Sequence, residues 1–213
     1  EEYGFGSSWG GVESEIILKP GARIEVANGI HFGTFHADIH GCEDTWDRIL
    51  LHPGSSLAAI ETTVEDAAVA VEMEGKSSLT IGNVAMTNNN IGIGAFGPAM
   101  KPINLTILSS IFEGCAIQKG QEGCHFENVS FVDLSGNLRI QKMTANGVYL
   151  DNTDMNGYYL SFYHCPIGIN SATPNRTLTV DHCEFGTGEG GIRAIGTLDM
   201  DVTNSFFHNL TSY

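Results

Sequence analysis

Leu79-Thr80-Ile81-Gly82-Asn83-Val84-Ala85-Met86 is apolar at its first, third and eighth positions and polar at its fifth. The same eight-residue pattern occurs seven times, beginning at Leu57, Leu79, Leu105, Cys124, Val148, Leu178 and Met200. The third positions are Ala59, Ile81, Ile107, Phe126, Leu150, Val180 and Val202, and the eighth are Val64, Met86, Phe112, Phe131, Met155, Phe185 and Phe207. All 21 residues are apolar, whereas a composition that is 42% apolar predicts about 9. Apolar residues two apart mark a strand with one buried face, and the eighth position lies beyond a bend, on a second strand.

A third strand follows many copies with a small-plus-aliphatic signal: Val69-Ala70-Val71, Ile91-Gly92-Ile93, Ala116-Ile117, Ile167-Gly168-Ile169 and Gly191-Ile192. Successive copies start 22, 26, 19, 24, 30 and 22 residues apart. One such unit cannot bury its own apolar face, but a stack of them can. The fifth position reads Glu61, Asn83, Ser109, Asn128, Asn152, His182 and Asn204. Asn accepts left-handed backbone and bonds locally in turns, and Asn residues lying one above another form an amide ladder.

The spacing therefore predicts an all-β fold, a right-handed parallel β-helix of about nine coils of roughly 19–30 residues. At about 4.8 Å per coil the rod is about 43 Å long. A helical solenoid needs runs of 3.6-residue period; only Val64 to Glu74 approaches one, and the 26 glycines argue against long helices. A β-sandwich needs a hairpin signal at every link. Residues 1–13 are Gly-rich and fall outside the repeat, as a cap or linker remnant, and residues 14–213 read as a single β-helix domain. The chain has no initiator Met or signal peptide, and it stops where another strand is due, so it reads as a fragment truncated at its C-terminus.

A net charge of −15 disfavours nucleic acid and anionic membrane surfaces as partners. The longest apolar runs fall short of a transmembrane helix. Cys42, Cys115, Cys124, Cys165 and Cys183 contain no CxxC pair, so they read as small buried hydrophobes rather than zinc ligands, with disulfide pairing left open.

The N-terminal half adds a resemblance. Ile17-Leu18-Lys19-Pro20-Gly21-Ala22-Arg23-Ile24-Glu25-Val26 precedes Cys42-Glu43-Asp44-Thr45-Trp46-Asp47-Arg48-Ile49, His52-Pro53-Gly54-Ser55-Ser56-Leu57, Glu65-Asp66-Ala67 and Asn88-Asn89-Asn90-Ile91-Gly92-Ile93. These elements resemble the right-handed β-helix regions of large proteins exported by the type IX secretion system. The resemblance covers roughly residues 15 to 95. It implies a secreted or cell-surface location and a long multi-domain parent, and its motifs are structural rather than catalytic.

Several constellations are candidates for chemistry. Asn152-Thr153-Asp154 is similar to a motif of polygalacturonases, but the Asp-Asp, Gly-His-Gly and Arg-Ile-Lys elements of that family do not occur here. A lyase needs a Lys or Arg base, and Arg139, Lys142 and Arg193 form no recognisable motif. If the Val148 and Leu178 copies lie on adjacent coils, Asp151, Asp154, Asp181 and Glu184 face one another, a set that suits Ca²⁺. The 30-residue gap between those copies leaves room for an extra coil around Tyr158 to Ile169. His36 and His40 have the spacing of a zinc pair without a third ligand. Tyr149, Tyr158, Tyr159 and Tyr163 are candidates for stacking on sugar rings, with aromatic packing under a loop as the competing reading. Four Asn-x-Ser/Thr sequons start at Asn104, Asn128, Asn175 and Asn209 and are discounted for a bacterial protein.

The functional expectation is a non-catalytic stalk or adhesin module of an exported surface protein, whose partner is a polysaccharide or another surface protein. The alternatives are a pectinase-like glycoside hydrolase or lyase and a filament subunit that associates end to end.

Overall fold

The computed structural model describes residues 14–42, 44–97, 101–114, 121–196 and 199–211. Every element among them is a strand, and every strand pairing is parallel. One coil shows the plan. Ser56–Ile60 lies on one face, Thr63–Glu65 on a second and Ala67–Met73 on a third, and the chain then returns to the first face at Ser78–Gly82, directly over Ser56–Ile60. We call these faces C, A and B. The architecture is a right-handed parallel β-helix of about eight turns.

Equivalent side chains stack in columns. On face C, Phe32, Leu57, Leu79 and Leu105 are in register, and higher up Val132, Met155, Leu178 and Met200 are. The strand Asn104–Ile107 packs against Val132–Gln141, which joins the two stretches. From Phe32 to Met200 these residues are 25, 22, 26, 27, 23, 23 and 22 positions apart, a more even coil length than the repeat suggested. The face A column runs Val64, Met86, Phe112, Ile140, Phe162, Phe185 and Phe207. All but Phe207 are buried, and each such apolar side chain contributes about 1.5–3 kcal/mol on burial.

Two of the seven repeat copies belong elsewhere. Cys124 and Val148 lie on face B, in register with Val71, Ile93, Ile169 and Ile192. Phe131 is accordingly 44% exposed instead of interior, and Met155 begins a face C strand instead of ending a repeat. The copies mimic the pattern because in these coils the turn from face B to face C is also a one-residue corner carrying Asn, at Asn128 and Asn152. The true face C and face A residues there are Val132, Leu134 and Ile140, then Met155, Gly157 and Phe162. A further copy, Phe32-x-Thr34-x-His36-x-x-Ile39, has a polar third residue; Thr34 is buried and accepts a hydrogen bond from the Thr62 hydroxyl at 3.1 Å.

The fifth position is a corner, as expected. Glu61, Asn83, Asn128, Asn152, His182 and Asn204 all have φ between 46° and 54°, the left-handed region. Ser109 is the exception and lies within the strand Ser109–Glu113. Among the described fifth-position residues, the amide bond forms where two Asn share a corner: Asn152 Nδ2 donates to Asn128 Oδ1 at 2.7 Å. Asn83 and Asn204 sit on the corner between faces C and A, with Gly136, Tyr159 and His182 among the corner residues between them. At Gly136, φ is 121° and a Cβ would lie 1.9 Å from the Ile107 carbonyl oxygen, so only glycine fits.

The small residue of the third strand has a packing role. Gly92, Gly123, Gly147, Gly168 and Gly191 form a column on face B whose missing Cβ atoms make room for the face A column. A Cβ on Gly147 would lie 2.4 Å from Phe162, and one on Gly168 would lie 2.6 Å from Phe185. The rings that fill these slots stack: Phe162 on Phe185 with centroids 4.9 Å apart, and Phe185 on Phe207 at 4.6 Å.

Candidate functional site

Many polar side chains among the described residues bridge one coil to the next. Asn88 bonds Asp66, Thr87 bonds Glu65, Lys142 and Gln141 bond Glu113, and Arg48 bonds Glu72. His52 lies 2.9 Å from Glu74, and Asn146 Nδ2 donates to Glu122 at 2.8 Å. The hydrogen bond from Lys142 is the main cause that lowers the Glu113 pKa.

The four carboxylates read as a candidate Ca²⁺ set are not brought together. The strand ending at Asp151 is on face B, Asp154 follows the next corner, Asp181 closes a face C strand and Glu184 opens a face A strand. The separation follows from Val148 lying on face B and Leu178 on face C. Each carboxylate has its own partners. The Thr173 hydroxyl donates to Asp151, and the Thr177 amide donates to Asp154 at 2.8 Å. Glu184 lies 2.9 Å from His208 and accepts from the Tyr163 hydroxyl, which is the main cause of its lowered pKa. Among the described residues no group of three or more His, Cys, Asp or Glu side chains is arranged to hold a metal ion.

Asn152-Thr153-Asp154 is a corner. Asn152 supplies the left-handed residue, and the buried Thr153 hydroxyl donates to the Asp151 carbonyl at 2.9 Å and accepts from the Val129 amide at 3.2 Å. Cys165 and Cys183 follow left-handed His164 and His182 and point inward in the same way, each thiol donating to the carbonyl two residues before it. Burial pushes the Cys165 thiol up to about 11 and raises those of Cys124 and Cys183. Cys42 is exposed. Cys115 and the Ala116-Ile117 signal lie outside the described residues, as does the N-terminal segment 1–13. His36 pairs with Glu61 at 2.8 Å on the corner, whereas His40 pairs with Glu15 at 3.0 Å on face A.

The four tyrosines divide among three places. Tyr149 is on face B, its centroid 4.7 Å from that of His125, and its pKa is raised chiefly by desolvation. Tyr163 is on face A, with the Arg139 guanidinium 5.3 Å from its ring centroid. Tyr158 and Tyr159 turn the corner from face C to face A one coil below His182. Their centroids lie 6.1 and 5.1 Å from that of His182 and 5.6 Å from each other.

Asp181 anchors this corner. It is 6% exposed and accepts hydrogen bonds from Thr203 Oγ1 at 2.8 Å, Asn204 Nδ2 at 2.9 Å and the Tyr158 hydroxyl, with His182 Nδ1 at 3.0 Å. Tyr158 is the main cause that holds the Asp181 carboxyl well below the usual carboxylate range, and the same bond raises the Tyr158 phenol. Two open recesses flank Tyr159. One, of about 480 Å³, is bordered by His182, Glu184, Asn204 and Phe206; the other, of about 310 Å³, by Ser109, Ile111 and Arg139. Asn137, Tyr159 and Ser161 line both. Arg139, Ser161 and Asn137 carry no motif, so the sequence reading missed them. The available signal was Tyr159 in the corner position of a coil beginning at Met155.

No family model matches the chain, and no curated protein or solved structure matches it.

Proposed function

We propose that this chain is a non-catalytic β-helical display module, a stalk or adhesin segment of an exported surface protein of the type IX secretion kind. The observation that carries the reading is the orientation of its polar chemistry. Asp151, Asp154, Asp181 and Glu184, the carboxylates read from the sequence as a candidate Ca²⁺ set, are each held by hydrogen bonds to side chains or backbone of a neighbouring coil. Glycoside hydrolysis instead needs two carboxyl groups flanking one bond across an open space. Coil-to-coil bonding along the outside, with an apolar core inside, suits a stiff spacer. At the first described coil Ile16 and Phe32 are only partly buried, and at the last Met200 and Phe207 are exposed. On such surfaces further coils, a cap or a second rod pack.

A depolymerisation screen tests the reading. Neutral and acidic polysaccharides are incubated with the protein, and new reducing ends and unsaturated products are measured. The expected result is no turnover. Turnover that disappears in Asp154→Asn or Asp181→Asn would overturn the proposal.

A further inference from the structure

We propose that the two recesses flanking Tyr159 form one binding site for a neutral oligosaccharide, with the Tyr159 ring stacked on a pyranose. Tyr159 is the only Tyr among the described left-handed residues, with φ 55°, and the residue is 51% exposed. An L-residue in that region is strained, and a bulky ring there is unusual. Exposed as it is, the ring gains little from burial that would offset this strain. Strain held at an exposed aromatic points to a ligand.

The surroundings are built to keep the platform fixed. Tyr158, next in sequence, is tied through its hydroxyl to Asp181, and Asp181 is held in turn by Thr203, Asn204 and His182. The His182 ring braces the Tyr159 ring at 5.1 Å. An aromatic face between recesses carrying amide and hydroxyl groups, here Asn137, Ser161 and Asn204, matches a sugar, which offers an apolar ring face and a rim of hydroxyls. Recesses of about 480 and 310 Å³ are of ligand size and share Tyr159 as their divide, so a chain of several sugars crosses both.

Charge selects a neutral chain. Arg139 and Glu184 stand on either side of Ser161 in one column, so their opposite charges largely cancel in potential at the site between them. The net charge of −15 repels a polyanion. Binding at this site is independent of whether the module also serves as a spacer.

Isothermal titration with cellohexaose, xylohexaose and mannohexaose, and with trigalacturonate as the charged probe, tests the site. The expected result is binding of at least one neutral hexasaccharide and no binding of trigalacturonate. Tyr159→Asn weakens that binding at least 10-fold while melting at or above the wild-type temperature, because Asn suits the corner. Ser161→Trp fills the shared wall and abolishes binding without touching the corner, and Tyr149→Ala on face B leaves binding unchanged. The proposal is overturned if none of the three neutral chains binds, if binding survives Tyr159→Asn or Ser161→Trp, if trigalacturonate binds more tightly, or if Tyr159→Asn melts below wild type.

Discussion

The glycine column makes the packing of faces A and B testable through Gly147→Ala. The new methyl would lie 2.4 Å from Phe162 Cδ1 and 2.6 Å from the Gly168 carbonyl oxygen. Neither neighbour has room to retreat. Phe162 is 2% exposed and stacked on Phe185, and the Gly168 oxygen belongs to the coil above. Overpacking of a tight core costs about 1–3 kcal/mol, and this site belongs at the upper end, about 3 kcal/mol. Gly191→Ala is the control. Its methyl meets Phe207 at 2.5 Å, but that ring is 43% exposed and free to move outward. Neither glycine has left-handed backbone, so alanine there also gains about 0.4–1 kcal/mol by restricting the unfolded chain. Gly191→Ala is therefore expected to be near neutral. Urea unfolding followed by circular dichroism measures both variants, and Phe162→Leu combined with Gly147→Ala should recover about 1 kcal/mol relative to the sum of the single changes. If Gly147→Ala is as stable as Gly191→Ala, Phe162 does not occupy the glycine slot and the described stacking is wrong.

Three further outcomes are expected. Asn83→Ala should lower stability by about 1 kcal/mol, because φ is 52° there, whereas Asn83→Gly should stay within a few tenths, both measured by urea unfolding. In a Cys115→Ser background at pH 8, a thiol reagent should label Cys42 quickly and Cys124, Cys165 and Cys183 only after denaturation, since burial raises all three buried thiols and brings Cys165 to about 11. Asp181 and His40 contribute to the pH dependence in opposite directions. The Asp181 pKa is depressed, so its contribution is full above the ordinary Asp value of about 3.9 and is lost as pH falls below it; Asp181→Asn should flatten the acid limb of a stability-versus-pH curve. The His40 pKa is raised, first by its bond to the Gly41 carbonyl and then by Glu15, so its contribution is full below about 6.5 and fades as pH rises through the raised value; His40→Gln should remove that fade.

The fold was legible because the interior of a β-helix is written at short range. Leu79, Ile81 and Met86 announce one coil within eight residues, and the corner at Asn83 needs a residue that tolerates left-handed backbone. What the pattern could not carry was phase. Apolar-x-apolar-x-Asn describes any strand that ends in a tight corner, so Cys124-x-Phe126-x-Asn128 matched although it belongs to face B. The glycine before Cys124 and before Val148 held the missing information, since glycine followed by an apolar residue is the face B signature at Gly92-Ile93, Gly168-Ile169 and Gly191-Ile192. That phase error placed Asp151 beside Asp181 and produced a carboxylate cluster that the described fold does not form. The tyrosines were legible as a group near Tyr158, but sequence proximity merged three separate surroundings, because the chain crosses from one face to the next within a few residues.

The balance between display and recognition rests on how evenly the corners are built. At most left-handed corners the chain uses Asn, His, Asp, Lys, Thr or Glu, polar residues whose side chains frequently bond a neighbouring coil, as Asn152 does with Asn128 and Asn88 with Asp66. Such corners are interchangeable supports, and a rod of any length can repeat them. Tyr159 breaks that uniformity at one coil, and the break coincides with the two recesses and with the most heavily bonded carboxylate of the corner, Asp181. A scaffold that needed only stiffness would have no use for an exposed ring held in strained backbone. The departure from the repeat, rather than the repeat itself, is therefore where recognition is to be sought, and the opposite responses expected of Tyr159→Asn, weaker binding with undiminished stability, separate the two roles in one variant.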